Sequence, residues 1–490
     1  MREVVRFLLG DELCELTSVD PTMTVLDWLR GPQRRVGTKE GCNEGDCGAC
    51  TVVVASPHGQ GLRYEAVNAC IRFVATLDGC QLLTVEDLQG ADGALHPIQE
   101  AIVQRHASQC GFCTPGFVMS IFAMSRRHKN VPDGSVFDDE LAGNLCRCTG
   151  YAPIVQAAET AIRNGAAEDR FARGLARTAE RLRALRDHET VRVGVGHRRF
   201  LAPATIDALA ELVVENPDAT ILAGGTDVGL WVTKQLRRLD TVIWTGRVEA
   251  LRRITTTDTS IEIGAGVTHS EAMAALAPHY PDIGEMWRRF GSVQVRNAGT
   301  VGGNIANGSP IGDASPALIA TGATLHLRRG GDHRWLPLER FFLEYGRQDR
   351  ARGELVERIS VPLPKADTRY RAYKISKRFD QDISAVLGAF LIRLEAEQVV
   401  EARLAFGGMA GTPKRAAAAE ACLVGQLWRE ATVREAMEAL GSDFQPITDV
   451  RASAEYRLRM ARNLLYRFFI ETTDATAQTR LVGDRSLAHV

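Results

Sequence analysis

The stretch GCNEGDCGAC, Gly41 to Cys50, holds Cys42, Cys47 and Cys50 in the spacing C-x4-C-x2-C, and Cys70 follows downstream. Thiolates that serve one centre must converge, so the chain between them must wrap tightly. Gly41, Gly45 and Gly48 supply positions where positive φ costs little. They also let backbone N–H groups approach the sulfurs. Structural zinc sites use C-x2-4-C pairs, two to a site. Thiols gathered in one glycine-rich loop fit an iron–sulfur cluster better, and this is a [2Fe–2S] spacing. Buried free thiols are the other alternative.

A second group stands further on: Cys110 and Cys113 in QCGFCTPG, then Cys146 and Cys148 in NLCRCTGY. C-x2-C followed by C-x-C is another metal-site spacing, and C-x-C is tight for an ordinary zinc ribbon. With both sets in view, residues 1–165 resemble the iron–sulfur domains of the molybdenum hydroxylases, the family of xanthine dehydrogenase and aldehyde oxidase. Both sets match that family's [2Fe–2S] motifs residue for residue. The resemblance implies one cluster on Cys42, Cys47, Cys50 and Cys70, and a second on Cys110, Cys113, Cys146 and Cys148.

A chain of 490 residues has room for about three domains. Net charge is −1, with acids and bases mixed throughout, which gives no argument for nucleic acid or an anionic membrane, and neither is expected as partner. Charged residues at 24 % do not mark a disordered chain. The opening MREVVRFLLGDELCEL has a short apolar run broken by Arg6, Asp11 and Glu12, so no signal peptide is expected. No apolar run reaches the ~18 residues of a membrane span. The odd count of 11 cysteines favours reduced thiols and metal over disulfides, and a cytoplasmic location. Cys14, Cys80 and Cys422 fall outside both sets and read as buried inert thiols. The 11 histidines form no HExxH or facial-triad cluster.

Residues 3–9 and 12–17 read as strands about Gly10-Asp11, and Thr24 to Arg30 as a helix stopped by Gly31-Pro32. TVVVA, Leu62 to Val67 and residues 80–85 add strand. This suits a β-grasp, ferredoxin-like domain over residues 1–88. Residues 89–165 read as a helical-bundle domain. Pro97 opens one helix, and Thr114-Pro115 read as N-cap and N1 of the next. Asp138 or Asp139 starts a helix ending at Cys146, and Pro153 to Arg163 forms the last. Both cysteine pairs are then expected at helix N-termini, where the dipole favours an anionic centre. Residues 166–195, rich in Arg, Glu, Asp and Ala, read as a solvated linker or linker helix.

From Phe200 the composition shifts. ATIDALAELVVE reads as a helix. ATILAGGTDVG reads as a strand and a glycine loop, suited to wrap a phosphate with main-chain N–H groups or to serve as a plain turn. VRNAGTVGGNIANGSPIGDASP, Val295 to Pro316, reads as a long functional loop with further main-chain donors. No GxGxxG follows a strand and no P-loop is present, so a Rossmann domain is unsupported. AGGTD and VGGNIANGSPIGD resemble the FAD domain of the same family, of vanillyl-alcohol-oxidase-like (PCMH-type) fold. The resemblance implies a FAD domain over residues 196–367. It places FAD on Ile221, Leu222, Ala223, Gly224, Gly225, Thr226, Asp227 and Val228, on Phe290, on Thr300, Val301, Gly302, Gly303 and Asn304, and on Asp313, Val356 and Lys374; no histidine stands where attachment is obvious, so the FAD is expected to be non-covalent. Read without the resemblance, Asp313 and Lys374 also suit a structural ion pair. Residues 368–475 resemble the small α+β CO-dehydrogenase-flavoprotein-like C-terminal domain, with 476–490 a tail. Tyr345 matches an aromatic on the nicotinamide side. The arginine found after it in the family is displaced here, Gly346 preceding Arg347.

Together these readings describe an α+β multidomain oxidoreductase with no catalytic acid or nucleophile of its own. The resemblance is to the small iron–sulfur/FAD subunit of the bacterial xanthine dehydrogenases. Nothing resembles a molybdopterin domain, which is then expected on a large partner subunit in an α2β2 heterotetramer. The resemblance implies that electrons from purine hydroxylation at the partner's molybdenum pass through the helical-domain cluster and the loop cluster to FAD, and on to NAD as hydride. The alternative is an electron carrier of an aldehyde or N-heterocycle hydroxylase with a non-NAD acceptor.

Overall fold

A computed structural model gives the fold and describes residues 1–90, 92–474, 476, 477 and 479. Most of the expected tail, 478 and 480–490, lies outside the described residues. The chain divides into two units: Met1–Glu249 with Gly291–Gly299, and Ala250–Phe290 with the residues from Thr300 on.

In the first unit, Val5, Phe7 and Leu9 alternate inward along Val5–Leu9 and meet Val25, Leu26 and Leu29 of the helix Val25–Arg30. Thr24 caps that helix, its Oγ1 accepting the Asp27 N–H at 3.0 Å. The sheet runs in the order Glu12–Leu16, Val5–Leu9, Gln81–Leu83, Thr51–His58, Gly61–Asn68. Val5–Leu9 and Gln81–Leu83 are parallel and the other neighbours antiparallel, the expected β-grasp arrangement. Helices Pro97–Gln104, Thr114–Arg127, Gly134–Leu141 and Ala152–Arg163 follow. The residues Gly116 to Ser125 of the second are all buried.

Three expectations for this region are corrected. Cys113, not Thr114, is the cap residue of Thr114–Arg127, because the Thr114 hydroxyl is engaged with Ser108 Oγ at 2.7 Å. The helix expected to end at Cys146 is capped by Asp133 and ends at Leu141. Residues 166–195 are more than a solvated linker or linker helix. They form Arg170–Arg173 and Leu175–Leu185, and the latter packs on the ferredoxin-like sheet with Ala179 and Leu182 buried. Leu175, Ala179 and Leu182 fall on one helical face, a stripe masked by the charges around it. A four-stranded sheet completes the unit, in the order Val191–Val195, Arg198–Ala202, Thr241–Trp244, Thr220–Leu222.

The second unit holds an antiparallel sheet in the order Ile254–Thr256, Ser260–Gly264, Leu355–Pro362, Thr324–Arg329, Asp332–Pro337. A further sheet, Thr368–Ile375, Val386–Glu395, Gln398–Gly407 and Lys414–Arg415, is covered by Ala417–Leu423, Glu430–Asp443 and Ala454–Thr473 around Phe390, Phe406 and Phe468. The stretch Val295 to Pro316 is largely helical, not a long loop: Val293–Ala298 precedes Gly299, Val301–Asn307 follows it, and Ala314–Thr321 begins beyond Asp313. Gly302 is there for close packing, since a Cβ would overlap Ala265.

Candidate metal centres and flavin-binding residues

The loop from Gly41 to Cys50 folds back on itself with Asn43, Gly45 and Gly48 at positive φ. Its N–H groups turn inward: Cys42 donates to Cys47 Sγ at 3.3 Å, Asp46 to Cys42 Sγ at 3.4 Å and Cys47 to Cys42 Sγ at 3.3 Å. The Cys42 thiol meets those of Cys47 and Cys70, and Cys70 meets Cys50. Hydrogen bonds from Cys47 and Cys70 hold the Cys42 thiol far below its ordinary pKa. The Cys50 thiol is lowered by its bond from Cys70. Convergent sulfurs with inward N–H donors suit a thiolate-bound centre, because such donors offset the charge on sulfur.

The second set converges in two pairs, Cys110 with Cys148 and Cys113 with Cys146. Burial is the first cause that pushes the Cys113 thiol up to about 12, and its bond to Cys146 adds to it. Thr149 Oγ1 donates to Cys146 Sγ at 3.1 Å, and the Cys146 N–H donates to Tyr151 Oη at 3.0 Å. Only Cys113 stands at a helix N-terminus. Cys146 and Cys148 lie on the turn before Ala152–Arg163, whose cap residue Tyr151 sits at φ +69. The dipole argument therefore applies to one pair and not to both.

A polar network that the sequence did not reveal joins the two sets. The Leu145 N–H donates to the Cys47 carbonyl at 3.0 Å. Asn144 Nδ2 donates to Gly48 O at 3.0 Å and its Oδ1 accepts from Ser120 Oγ at 2.6 Å and from Gln294 Nε2 at 3.0 Å. All of these side chains are buried. Lys234 Nζ donates to the Cys42 carbonyl at 2.6 Å. The one hint in the sequence was a glycine at each of 48, 116 and 143, where a Cβ would strike neighbouring backbone or Gln294.

The residues expected to hold FAD fall on both units. In the first, Ile221 and Leu222 end the strand Thr220–Leu222, Ala223 to Asp227 turn, and Val228 opens Val228–Thr233. Gly225 takes φ +77, and a Cβ on Gly224 would overlap the Ala298 carbonyl. Among the described residues, no acceptor takes the N–H of Gly224, Gly225 or Thr226. In the second unit, Phe290 packs on His269 with centroids 4.6 Å apart. Here the expectation of main-chain donors is corrected. The N–H groups of Val301, Gly302 and Gly303 are taken by Val267 O, Ala265 O and Thr300 Oγ1 at 3.0, 3.1 and 3.0 Å. What this turn offers instead is Asn304 Oδ1, buried with no partner among the described residues. Asp313 pairs with Lys374 in the interior and accepts from Ser384 Oγ at 2.6 Å. Val356 is buried on Leu355–Pro362. Tyr345 is 76 % exposed, while Arg347 is held by Glu344 at 2.6 Å. In the first unit the spare N–H groups fit a phosphate; in the second the Asn304 amide oxygen offers an acceptor.

Family signatures cover most of the sequence. Residues 10–75 match a 2Fe-2S iron-sulfur cluster binding domain and 84–159 a [2Fe-2S] binding domain. Residues 195–364 match the FAD binding domain in molybdopterin dehydrogenase, and 371–472 the CO dehydrogenase flavoprotein C-terminal domain. The chain belongs to the molybdenum hydroxylase family. Within that family it is 32 % identical to xanthine dehydrogenase of Emericella nidulans over 95 % of this chain and 38 % of that one. It is 30 % identical to xanthine dehydrogenase 1 of Arabidopsis thaliana over 91 % and 38 %. The chain thus spans about two fifths of the length of these relatives. Among solved structures, a carbon monoxide dehydrogenase chain from Hydrogenophaga pseudoflava is 27 % identical with TM-score 0.53, covering 56 % of this chain and 96 % of that one. The Oligotropha carboxidovorans CO dehydrogenase chain is 26 % identical with TM-score 0.53, over 56 % and 96 %. This molybdenum hydroxylase chain carries the family's two [2Fe–2S]-binding domains and its FAD-binding domain. No helix among the described residues is long and apolar enough to cross a membrane.

Proposed function

We propose that this chain is the electron-transfer subunit of a xanthine dehydrogenase, linking oxidation of hypoxanthine and xanthine at a molybdopterin centre in a large partner subunit to reduction of NAD. The working form is a cytoplasmic α2β2 heterotetramer. The observation that carries the reading is the match to xanthine dehydrogenase over 95 % of this chain. We assign one [2Fe–2S] cluster to Cys42, Cys47, Cys50 and Cys70, the other to Cys110, Cys113, Cys146 and Cys148, and FAD to the residues from Ile221 to Val228 together with Phe290, Thr300 to Asn304, Asp313, Val356 and Lys374. When bound, the clusters supply one-electron and the flavin two-electron chemistry. The chain's own residues bind and tune. The loop N–H groups stabilise negative sulfur, and the Asp313–Lys374 pair fixes charge beside the flavin residues.

A second reading, an electron carrier for another hydroxylase with a non-NAD acceptor, draws on two observations. Arg347, the cation nearest Tyr345 in sequence, is engaged by Glu344, and carbon monoxide dehydrogenases are among the solved relatives. Rapid mixing of the reduced holoprotein with NAD separates the two. Return of oxidised flavin absorbance with formation of NADH is the expected result. Reoxidation by a quinone with none by NAD selects the second reading.

A further inference from the structure

Three ligand-type side chains converge on the antiparallel sheet of the second unit, none of them assigned above to a cofactor. His326 lies on Thr324–Arg329, His333 on Asp332–Pro337 and Glu357 on Leu355–Pro362. A β-bulge brings the carboxylate to the histidines. His326 pairs with Arg358 and Leu327 with Val356, so Glu357 is the extra residue between them. Such bulges re-aim one side chain out of the ordinary alternation.

The two imidazoles stack with centroids 5.0 Å apart and planes 5° from parallel. Each Nδ1 lies 3.6 Å from the same oxygen, Glu357 Oε2. That oxygen is buried and, among the described residues, accepts no hydrogen bond. A direct N–H···O bond would close to ~2.7–3.2 Å. The observed separation is instead near the ~3.4 Å edge of a tetrahedron with ~2.1 Å metal–ligand bonds. All three ligand atoms lie within 4.8 Å of one another. Desolvation lowers the pKa of His326, favouring the neutral ring that ligates. Of the cationic neighbours, Arg358 Nη2 hydrogen-bonds His326 Nδ1 at 3.4 Å, a contact an incoming ion would replace, and its guanidinium also lies over Trp335 and 3.5 Å from Glu262. Arg328 Nε donates to Gly330 O at 2.8 Å.

We propose that His326, His333 and Glu357 form a binding site for a divalent transition-metal ion of zinc type, which pins the hairpin Thr324–Pro337 to the strand Leu355–Pro362. Two imidazoles and one carboxylate leave a fourth position for water. The sequence concealed it because the ligands lie on three strands, in no short motif.

The test uses the holoprotein with clusters and flavin loaded, so that the cysteines are occupied. Zinc is titrated by equilibrium dialysis with elemental analysis, for the natural chain and for His333→Ala and Glu357→Gln. His333 is half exposed, so its truncation leaves the core intact. The natural chain is expected to bind one equivalent more than either variant, or to bind it about tenfold or more tightly. Zinc-edge X-ray absorption should show nitrogen and oxygen ligands. Equal zinc binding in all three proteins overturns the site, as does sulfur ligation.

Discussion

The two cysteine sets present the same ligand chemistry in opposite settings. Cys50 and Cys70 are 2 % and 1 % exposed, set into the core of the ferredoxin-like sheet with Val52, Val67 and Leu82. Cys110 and Cys148 are exposed, on turns of the helical domain beside exposed Phe112, Leu145 and Tyr151. The first site is fixed by packing of an apolar core. At the second, Cys113 and Cys146 pack partly buried against the helical domain's core, while Cys110 and Cys148 sit on exposed turns. Core packing and ligand geometry are therefore coupled more tightly at the first site than at the second.

The largest test of that difference is loss of a ligand. Cys148→Ser should abolish one [2Fe–2S] EPR signal of the reduced protein, spare the other and leave the thermal midpoint of the ferredoxin-like domain in place. Cys50→Ser should abolish the other signal and lower that midpoint, because a hydroxyl replaces a buried sulfur in the core. If both variants lose one signal with no difference in stability, burial does not distinguish the sites.

A smaller effect is expected where the sets meet. Gly48 takes φ +72, and its Cβ would overlap Gly143 O and Asn144. Gly48→Ala should cost roughly 2–3 kcal/mol from strain and displaced backbone, and should disturb both EPR signals. Gly59→Ala is the control. It has φ +54 with nothing within 4 Å and should cost only about 1 kcal/mol. Equal losses in thermal or denaturant unfolding would remove the coupling.

What the sequence disclosed follows the same division. The loop Gly41 to Cys50, the first hairpin and the capped helix Val25–Arg30 were legible because ligand spacing, turn chemistry and capping are local. The packing face of Leu175–Leu185 was hidden because Leu175, Ala179 and Leu182 stand among arginines, Glu180 and other alanines. The stretch Val295 to Pro316 looked like loop because its glycines suggested freedom, while Gly302 in fact serves close approach to Ala265. Asn144, Ser120 and Gln294 carry no local signal. Their role depends on three segments distant in sequence meeting in space. Asn304 was expected among the flavin residues as part of a donor loop, and the structure gives it a buried acceptor instead.

The last prediction concerns the clamp on the helical domain. Asp169 caps Arg170–Arg173 and accepts from His96 Nε2 at 2.8 Å and from Arg126 at 2.9 and 2.8 Å. Burial pushes this carboxyl up, but the bonds from His96 and Arg126 outweigh it and hold the pKa down to about 2. The unfolded value is about 3.9. Because the folded pKa is the lower one, the ionised clamp stabilises above about pH 4, and the contribution disappears as pH falls through about 2. Asp169→Asn should therefore destabilise the helical domain by about 2 kcal/mol at pH 7, and the gap from the natural protein should close between about pH 4 and pH 2. The ferredoxin-like domain, held by apolar packing, should respond less to the same substitution. Thermal unfolding of the cofactor-free chain, followed by separate fluorescence probes on the two domains, measures this directly. A gap that stays constant as pH falls would show that Asp169 acts through shape and not charge, and the contrast between the two settings would then rest on burial alone.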